Sequence, residues 1–195
     1  DSLMATGRYR VYMTRSTDVY VPLRERVKRA ESTKGDLFIS LHADSHKNRK
    51  VKGLSVYTLS EKASDKEAAA LARHANTAGE IGHMKVDYTE EEEIASLLVD
   101  MVQRDTKNTS SRFAEGLVDS LKERVTLLRN THRFAGFRVL TSASIPSVLI
   151  ELGYLSNRKE EVLLRSKKYK KKLVSSIVQA IDIHFGASEK RYAQH

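Results

Sequence analysis

"DLFISLHADS", residues 36–45, sets a short apolar run against a polar end. A run interrupted only by Ser40 is the pattern of a buried strand. It finishes on His42, Ala43 and Asp44, so an imidazole and then a carboxylate stand where the strand leaves the sheet. A second stretch, "PSVLIELG" at 146–153, repeats the pattern and ends its apolar run on Glu151. In parallel α/β sheets, ligands bind beyond the carboxyl ends of the strands. A neutral imidazole and a carboxylate placed there could act as metal ligand and general base. Each group also has a plainer reading, His42 as a hydrogen-bonded structural residue and Glu151 as the partner of a nearby arginine.

Around these two strands the pattern alternates between strand and helix, which predicts a single three-layer α/β domain over residues 1–195. Its mostly parallel or mixed sheet is flanked by helices and carries a helical insertion at 64–128. "RYRVYMTR" (8–15) is rich in β-branched and aromatic residues and reads as a strand, followed by a turn at 16–18. Pro22 opens a predicted helix to about Thr33, with Leu23, Val27 and Ala30 on one face and Gly35 closing it. Residues 45–53 read as a polar loop and 54–60 as another strand. A helix is predicted over 64–79, capped by Ser64 and stopped near Gly79. Residues 89–128 read as helical throughout, with Thr89 as cap and a break near Asn108. Strands are predicted at 136–140 and 146–152, helices at 159–165 and 167–184, and a frayed tail from Gly186.

The chain has 195 residues and no cysteine, which excludes disulfides, thiolate nucleophiles and thiolate metal sites. A transition metal would have to be held by histidine and carboxylate. No apolar run approaches the roughly 20 residues of a membrane span. The formal net charge is +9, compatible with nucleic acid, anionic lipid or acidic polymers as partners, and equally with a solvated basic surface. Lys167, Lys168, Lys170, Lys171 and Lys172 crowd the start of one predicted helix. Tyr169 is the only aromatic among them, so the aromatic and basic interleaving that stacks single-stranded bases is missing.

Longer motifs narrow these readings. "TRSTDVYVPLRERVKRAESTKGDLFISLHADS" resembles the zinc-dependent N-acetylmuramoyl-L-alanine amidases of the bacterial cell-separation type. The match rests on Thr14, Arg15, Asp18, Leu23, Arg26, Asp36, Leu37, Phe38, Ser40, His42 and Ala43. "AGFRVLTSASIPSVLIELGYLSN" (135–157) resembles the second signature of that family at Pro146, Glu151, Gly153, Ser156 and Asn157. The resemblance implies hydrolysis of the amide between N-acetylmuramic acid and the L-alanine of the stem peptide, in the periplasm or cell envelope. It implies Zn2+ as cofactor, His42 as zinc ligand and Glu151 as catalytic glutamate. Two further ligands, a histidine and a glutamate, are expected N-terminal to this chain, which looks like an excised fragment lacking the first strand of the domain. His46, His74, His83, His132, His184 and His195 match no ligand motif and are expected on the surface or in the core.

The resemblance also gives the insertion at 64–128 a role, that of a helical cover over the zinc site displaced by a protein activator. "HANTAGEIG" (74–82) is similar to an inhibitory motif at Asn76, Ile81 and Gly82, but Ala75 and Gly79 stand at its acidic positions. Glu80 is the nearest carboxylate and the candidate inhibitory residue; Glu90 to Glu93 read as cap and solvated face. Peptidoglycan and an activator are the partners this implies, with no nucleic acid and no membrane span. The alternatives are a catalytically inactive relative that binds peptidoglycan or a partner, and a nucleic-acid-binding α/β domain resting on charge alone.

Overall fold

A computed structural model describes residues 1–78 and 96–192. In chain order the elements are α1 (Leu23–Ser32), β1 (Phe38–His42), β2 (Leu54–Leu59), α2 (Lys66–Ala78), α3 (Ser96–Leu121), β3 (Leu127–Ala135), β4 (Ser147–Glu151), α4 (Arg158–Arg165) and α5 (Lys167–Tyr192). The four strands form one mixed sheet in the order β1-β4-β2-β3. β1 runs parallel to β4 and β2 parallel to β3, while β2 and β4 are antiparallel. The carboxyl ends of β1 and β4 therefore lie together at one end of the sheet.

Alternation along the strands divides the core into two layers. Val56, Val148 and Ile150 face Phe113, Leu117 and Leu121 of α3 and Leu173, Ala180 and Ile181 of α5. Tyr57 and Leu149 face the other way, toward Leu23 of α1 and Ala68, Leu71 and Ala72 of α2. The α/β architecture with helices on both faces is thus the predicted one. Within the predicted insertion, Phe113, Leu117 and Leu121 fall at helical spacing and are buried in the core, with Val118 partly buried against them. Their upstream counterpart, Ile94, Leu97, Leu98 and Met101, lies outside the residues whose side chains are described, as do Thr89 and Glu90 to Glu93.

Several local expectations are corrected. Residues 8–15 form no strand. A strand needs a ladder partner, and this segment is held by side chains instead. Arg8 and Tyr9 both donate to Asp182 Oδ1, at 2.8 and 2.7 Å, and Arg29 donates to the carbonyl of Thr14 at 2.8 Å. Met13 is left 73% exposed. The third strand lies at Leu127–Ala135 rather than 136–140. Its sequence, "LLRNTHRFA", lacks a continuous apolar run because it forms the outer edge of the sheet beside β2. Residues 138–140 form a short 3-10 turn whose Val139 and Leu140 plug the layer under α1 and α2. An apolar plug and an apolar strand look alike in sequence.

α3 passes Asn108 without a break, because that residue is exposed and costs the helix little. α5 continues to Tyr192, beyond the predicted end and through the segment expected to fray. At the end of α1 the left-handed residue is Lys34, φ 51°, and not Gly35. At the start of α2 the cap is Asp65, whose Oδ1 accepts from the Ala68 amide at 2.8 Å. Ser64 instead accepts from the Phe134 amide at 2.7 Å, tying the loop to β3.

Asp65 also pairs with Arg133, whose side chain is only 5% exposed. Burial pushes the Asp65 carboxyl up, but the Ala68 amide and the Arg133 guanidinium outweigh it and hold the group below its ordinary value. Glu67 reaches Arg133 only at 3.4 Å and from an exposed position. Asp65→Ala should therefore destabilise the chain by about 2 kcal/mol, combining a lost cap with a buried cation stripped of its main partner. Asp65→Asn keeps the cap and should cost less; equal denaturation midpoints for parent and Ala variant would contradict this account. Because the folded-state value is depressed, the Asp65 contribution is present at neutral pH and lost as pH falls through that value.

Candidate metal centre

The β1–β4 register sets His42 directly opposite Glu151. Both side chains belong to the α1/α2 layer. Asp44 follows His42 by two residues and turns back onto the pair. The ligand atoms of His42, Asp44 and Glu151 lie within 4.8 Å of one another. His42 Nε2 and Ser40 Oγ share a hydrogen bond of 3.1 Å, and His42 Nδ1 lies 3.9 Å from Asp44 Oδ2. The Asp44 amide donates to Glu151 Oε1 at 2.8 Å. The two sequence-predicted site residues are thus neighbours at the carboxyl end of the sheet.

Glu151 is fully buried. Burial pushes its carboxyl up to about 8, the charges of Asp44 and Glu160 push the same way, and the Asp44 amide opposes them. Glu151 Oε2 and Asp44 Oδ2 are both buried without a hydrogen-bond partner among the described residues. Buried carboxylate oxygens without partners are costly. Two of them beside one imidazole nitrogen are a donor set suited to a divalent cation, and histidine with carboxylate oxygens fits zinc.

Neighbouring residues fix this arrangement. Glu160 is buried in α4; its Oε1 accepts from the Gly53 amide at 2.8 Å and its Oε2 from the Tyr154 amide at 2.9 Å. It thereby joins the loop before β2 to the turn after β4. The Leu155 amide donates to the Asp44 carbonyl at 2.8 Å, holding the two site loops together. Asn157 caps α4 by accepting from the Lys159 and Glu160 amides. Glu80 lies outside the described residues. Asn76, from the motif that resembles an inhibitory segment, bridges α2 to the loop after β3: its Nδ2 donates to the Gly136 carbonyl at 2.8 Å and its Oδ1 accepts from the Arg138 amide at 3.0 Å.

Asp44 and Glu160 were not singled out as site residues from the sequence. Asp44 had a signal, since a residue two after His42 returns to the same face of an extended chain. Glu160 had none, because its role depends on joining the Gly53 amide, 107 residues away, to the Tyr154 amide across the turn after β4. His46 is not part of the cluster: its amide donates to Ser156 Oγ at 2.9 Å and its ring packs edge-on against Tyr154. His132 shares a 3.0 Å hydrogen bond with Thr58 Oγ1 on the other layer.

A family profile described as N-acetylmuramoyl-L-alanine amidase matches residues 1–183. The chain is 35% identical over 180 residues to the N-acetylmuramoyl-L-alanine amidase AmiC of Escherichia coli O6:H1, covering 92% of this chain and 43% of that protein. It is 31% identical over 189 residues to the AmiC amidase of Neisseria meningitidis serogroup B, covering 96% and 45%. The chain thus spans less than half the length of these two relatives. Among solved structures, the AmiC2 amidase of Nostoc punctiforme superposes with a TM-score of 0.62 at 22% identity, covering 100% of this chain and 78% of that one. The CwlD amidase of Clostridioides difficile, solved in complex with the GerS lipoprotein, gives 0.64 at 19%, covering 95% and 80%. At these identities the two structures speak for the fold alone, a three-layer α/β arrangement.

The burial of Glu151 has a measurable consequence in the chelated, metal-free chain. Its folded-state value, about 8, lies above the ordinary 4.5. Between those values the folded state holds a proton that the unfolded state has released, so stability falls as pH rises through the window. Glu151→Gln removes this term. The parent should lose melting temperature from pH 5 to 8 more steeply than the variant, and identical slopes would show that Glu151 is not held protonated.

Proposed function

The chain belongs to the N-acetylmuramoyl-L-alanine amidase family, and from that membership we propose that it hydrolyses the amide joining N-acetylmuramic acid to the L-alanine of the stem peptide in peptidoglycan. The observation that carries the reading is the pair of half-buried His42 and fully buried Glu151, side by side at the sheet end, with the ligand atoms of His42, Asp44 and Glu151 within 4.8 Å of one another and two carboxylate oxygens without partners among the described residues. His42 is proposed to hold Zn2+ and Glu151 to serve as general base. Two further ligands are proposed to come from a strand N-terminal to residue 1, pairing along the open edge of β1, where Leu41 is 59% exposed.

A bound zinc ion supplies Lewis acidity, polarising the scissile carbonyl and acidifying an attacking water. The residues of the chain do the rest. Ser40 and Asp44 flank the His42 ring and fix its orientation. The Asp44 amide holds Glu151 Oε1, leaving Oε2 to take a proton from the water and return it to the departing alanine amine. Glu151 would be favoured in its ionised form, against the effect of burial, by a dication held at His42.

A catalytically inactive relative that only binds peptidoglycan is the second reading; the orphaned Glu151 oxygen favours the enzyme. The proposed location is the periplasm or cell envelope, as for a cell-wall enzyme. In a catalytic domain extended to include the upstream ligands, Glu151→Gln should keep zinc and fold yet lose about 10²–10⁴-fold in release of stem peptides with a free alanine amine from sacculi. Equal release by variant and parent would remove Glu151 from the mechanism, and a zinc-loaded parent without activity would favour the inactive relative.

Regulation by the insertion is proposed on narrower ground. Residues 113–121 are spent on the core, so a cover over the site must come from the part before them, including Glu80. A protein activator of the cell-separation machinery is the proposed partner that favours the open state; the CwlD–GerS complex is a precedent for an amidase with a protein partner. Shortening residues 79–95 in the extended domain should raise sacculus digestion without activator. Unchanged or lower activity in a folded, zinc-loaded deletion would count against restraint.

A further inference from the structure

The lysine run at the start of α5 has no part in the metal centre. Between Arg158 and Lys172 eight cations stand against two carboxylates, a local net of +6 in a chain of +9. The excess is therefore concentrated on α4 and the first turns of α5 and is not spread over a solvated surface. Of the two carboxylates, Glu160 is buried and Glu161 pairs with Arg165. Lys167, Lys168, Lys170, Lys171 and Lys172 are all exposed, and none forms an ion pair among the described residues.

This placement opposes the local physics of a helix. The N-terminal turn carries the positive end of the macrodipole, and cations there are unfavourable. Lys167 and Lys171, and Lys168 and Lys172, are like-charged pairs four residues apart, also unfavourable. The first turn of α5 holds no acidic residue to offset them. Leu173, Ser176 and Ala180 fix the inward face of the helix, which turns Lys167, Lys168 and Lys171 outward. Apolar side chains lie exposed among these cations: Val174 on α5 is 42% exposed, and Val162 and Leu163 on α4 are 62% and 41% exposed.

We infer that the α4–α5 face is a docking surface for an anionic lipid bilayer. Clustered lysines on a helix are drawn to a plane of anionic headgroups, and exposed valine and leucine beside them can settle at the headgroup boundary. An acidic polymer would be served by the lysines but would gain nothing from the apolar residues. Tyr169, the one aromatic of the run, is half-buried and packed against the core layer of α3 and α5, so no ring is presented for stacking on bases. The surface lies on the helices that follow the Glu151 strand and uses none of the metal-centre residues.

The test is co-sedimentation of the 195-residue chain with vesicles of phosphatidylcholine containing phosphatidylglycerol, against pure phosphatidylcholine. Binding is expected to the anionic vesicles and to weaken with salt. Each lysine contributes about fivefold to partitioning, so Lys167→Gln, Lys168→Gln and Lys171→Gln together should weaken it by roughly 100-fold with an unchanged melting curve. The corresponding three lysine-to-arginine changes should restore it. Val174→Ser should weaken the part of the binding that survives high salt. Equal partitioning to neutral vesicles, an unaffected glutamine variant, an unaffected Val174→Ser, or tighter binding to DNA or isolated sacculi than to anionic vesicles would each overturn the inference.

Discussion

Parallel pairing of β1 with β4 is the constraint on which the site depends. Residue-for-residue register from Phe38↔Ser147 to His42↔Glu151 leaves no freedom in where the imidazole and the carboxyl emerge. A one-residue slip would send one of them to the opposite layer, among Val148 and Ile150, where an ionisable group has no partner. The apolar residues before each group thus do two things: they bury β4 and partly bury β1, and by that burial they fix the register that brings the groups together. Glu151 pays for its place in desolvation, which is why its carboxyl stands so far above the ordinary range.

The turn after β4 is held with comparable strictness. Gly153 adopts φ +150°, and a Cβ there would come within 3.0 Å of Glu160 Oε2. The absent side chain lets the Glu160 carboxylate approach close enough to accept the Tyr154 amide while its other oxygen takes the Gly53 amide. Asn157 then starts α4 at the point where Glu160 faces inward. The signature "ELGYLSN" thus has a mechanical reading: it ends a strand on an ionisable group, turns tightly, and anchors the turn through a buried carboxylate one helical turn further on.

α3 divides the connection between β2 and β3. Its Phe113, Leu117 and Leu121 complete the layer with α5, while Thr106 Oγ1 and Ser110 Oγ tie it to the Ala143 carbonyl before β4 and to the Ser147 amide at its start. A long connection in sequence is therefore partly scaffold, and its length alone does not measure how much of it is available for regulation.

Residues 37–42 and 146–151 determined by themselves that two strands exist and that each ends on an ionisable group, because apolar runs of that length bounded by polar loops have few other uses; that β4 is buried throughout while β1 is an edge strand with Leu41 exposed was decided only by the tertiary structure. The same strength made α1, α4 and the first part of α5 legible: caps and one-sided apolar spacing are local physics. Which segments pair was decided only by the tertiary structure. "RYRVYMTR" has strand composition without a partner, "LLRNTHRFA" has a partner without strand composition, and "GFRVL" is apolar because it fills a layer beneath two helices. Glu160 belongs with these, since its role rests on two backbone amides brought to it by the fold, and so does the hydrogen bond by which the Asp44 amide holds Glu151. Propensity is a property of a segment, whereas a ladder, a buried ion pair or a shared ligand point needs two segments, and the free energy of that meeting resides in neither alone.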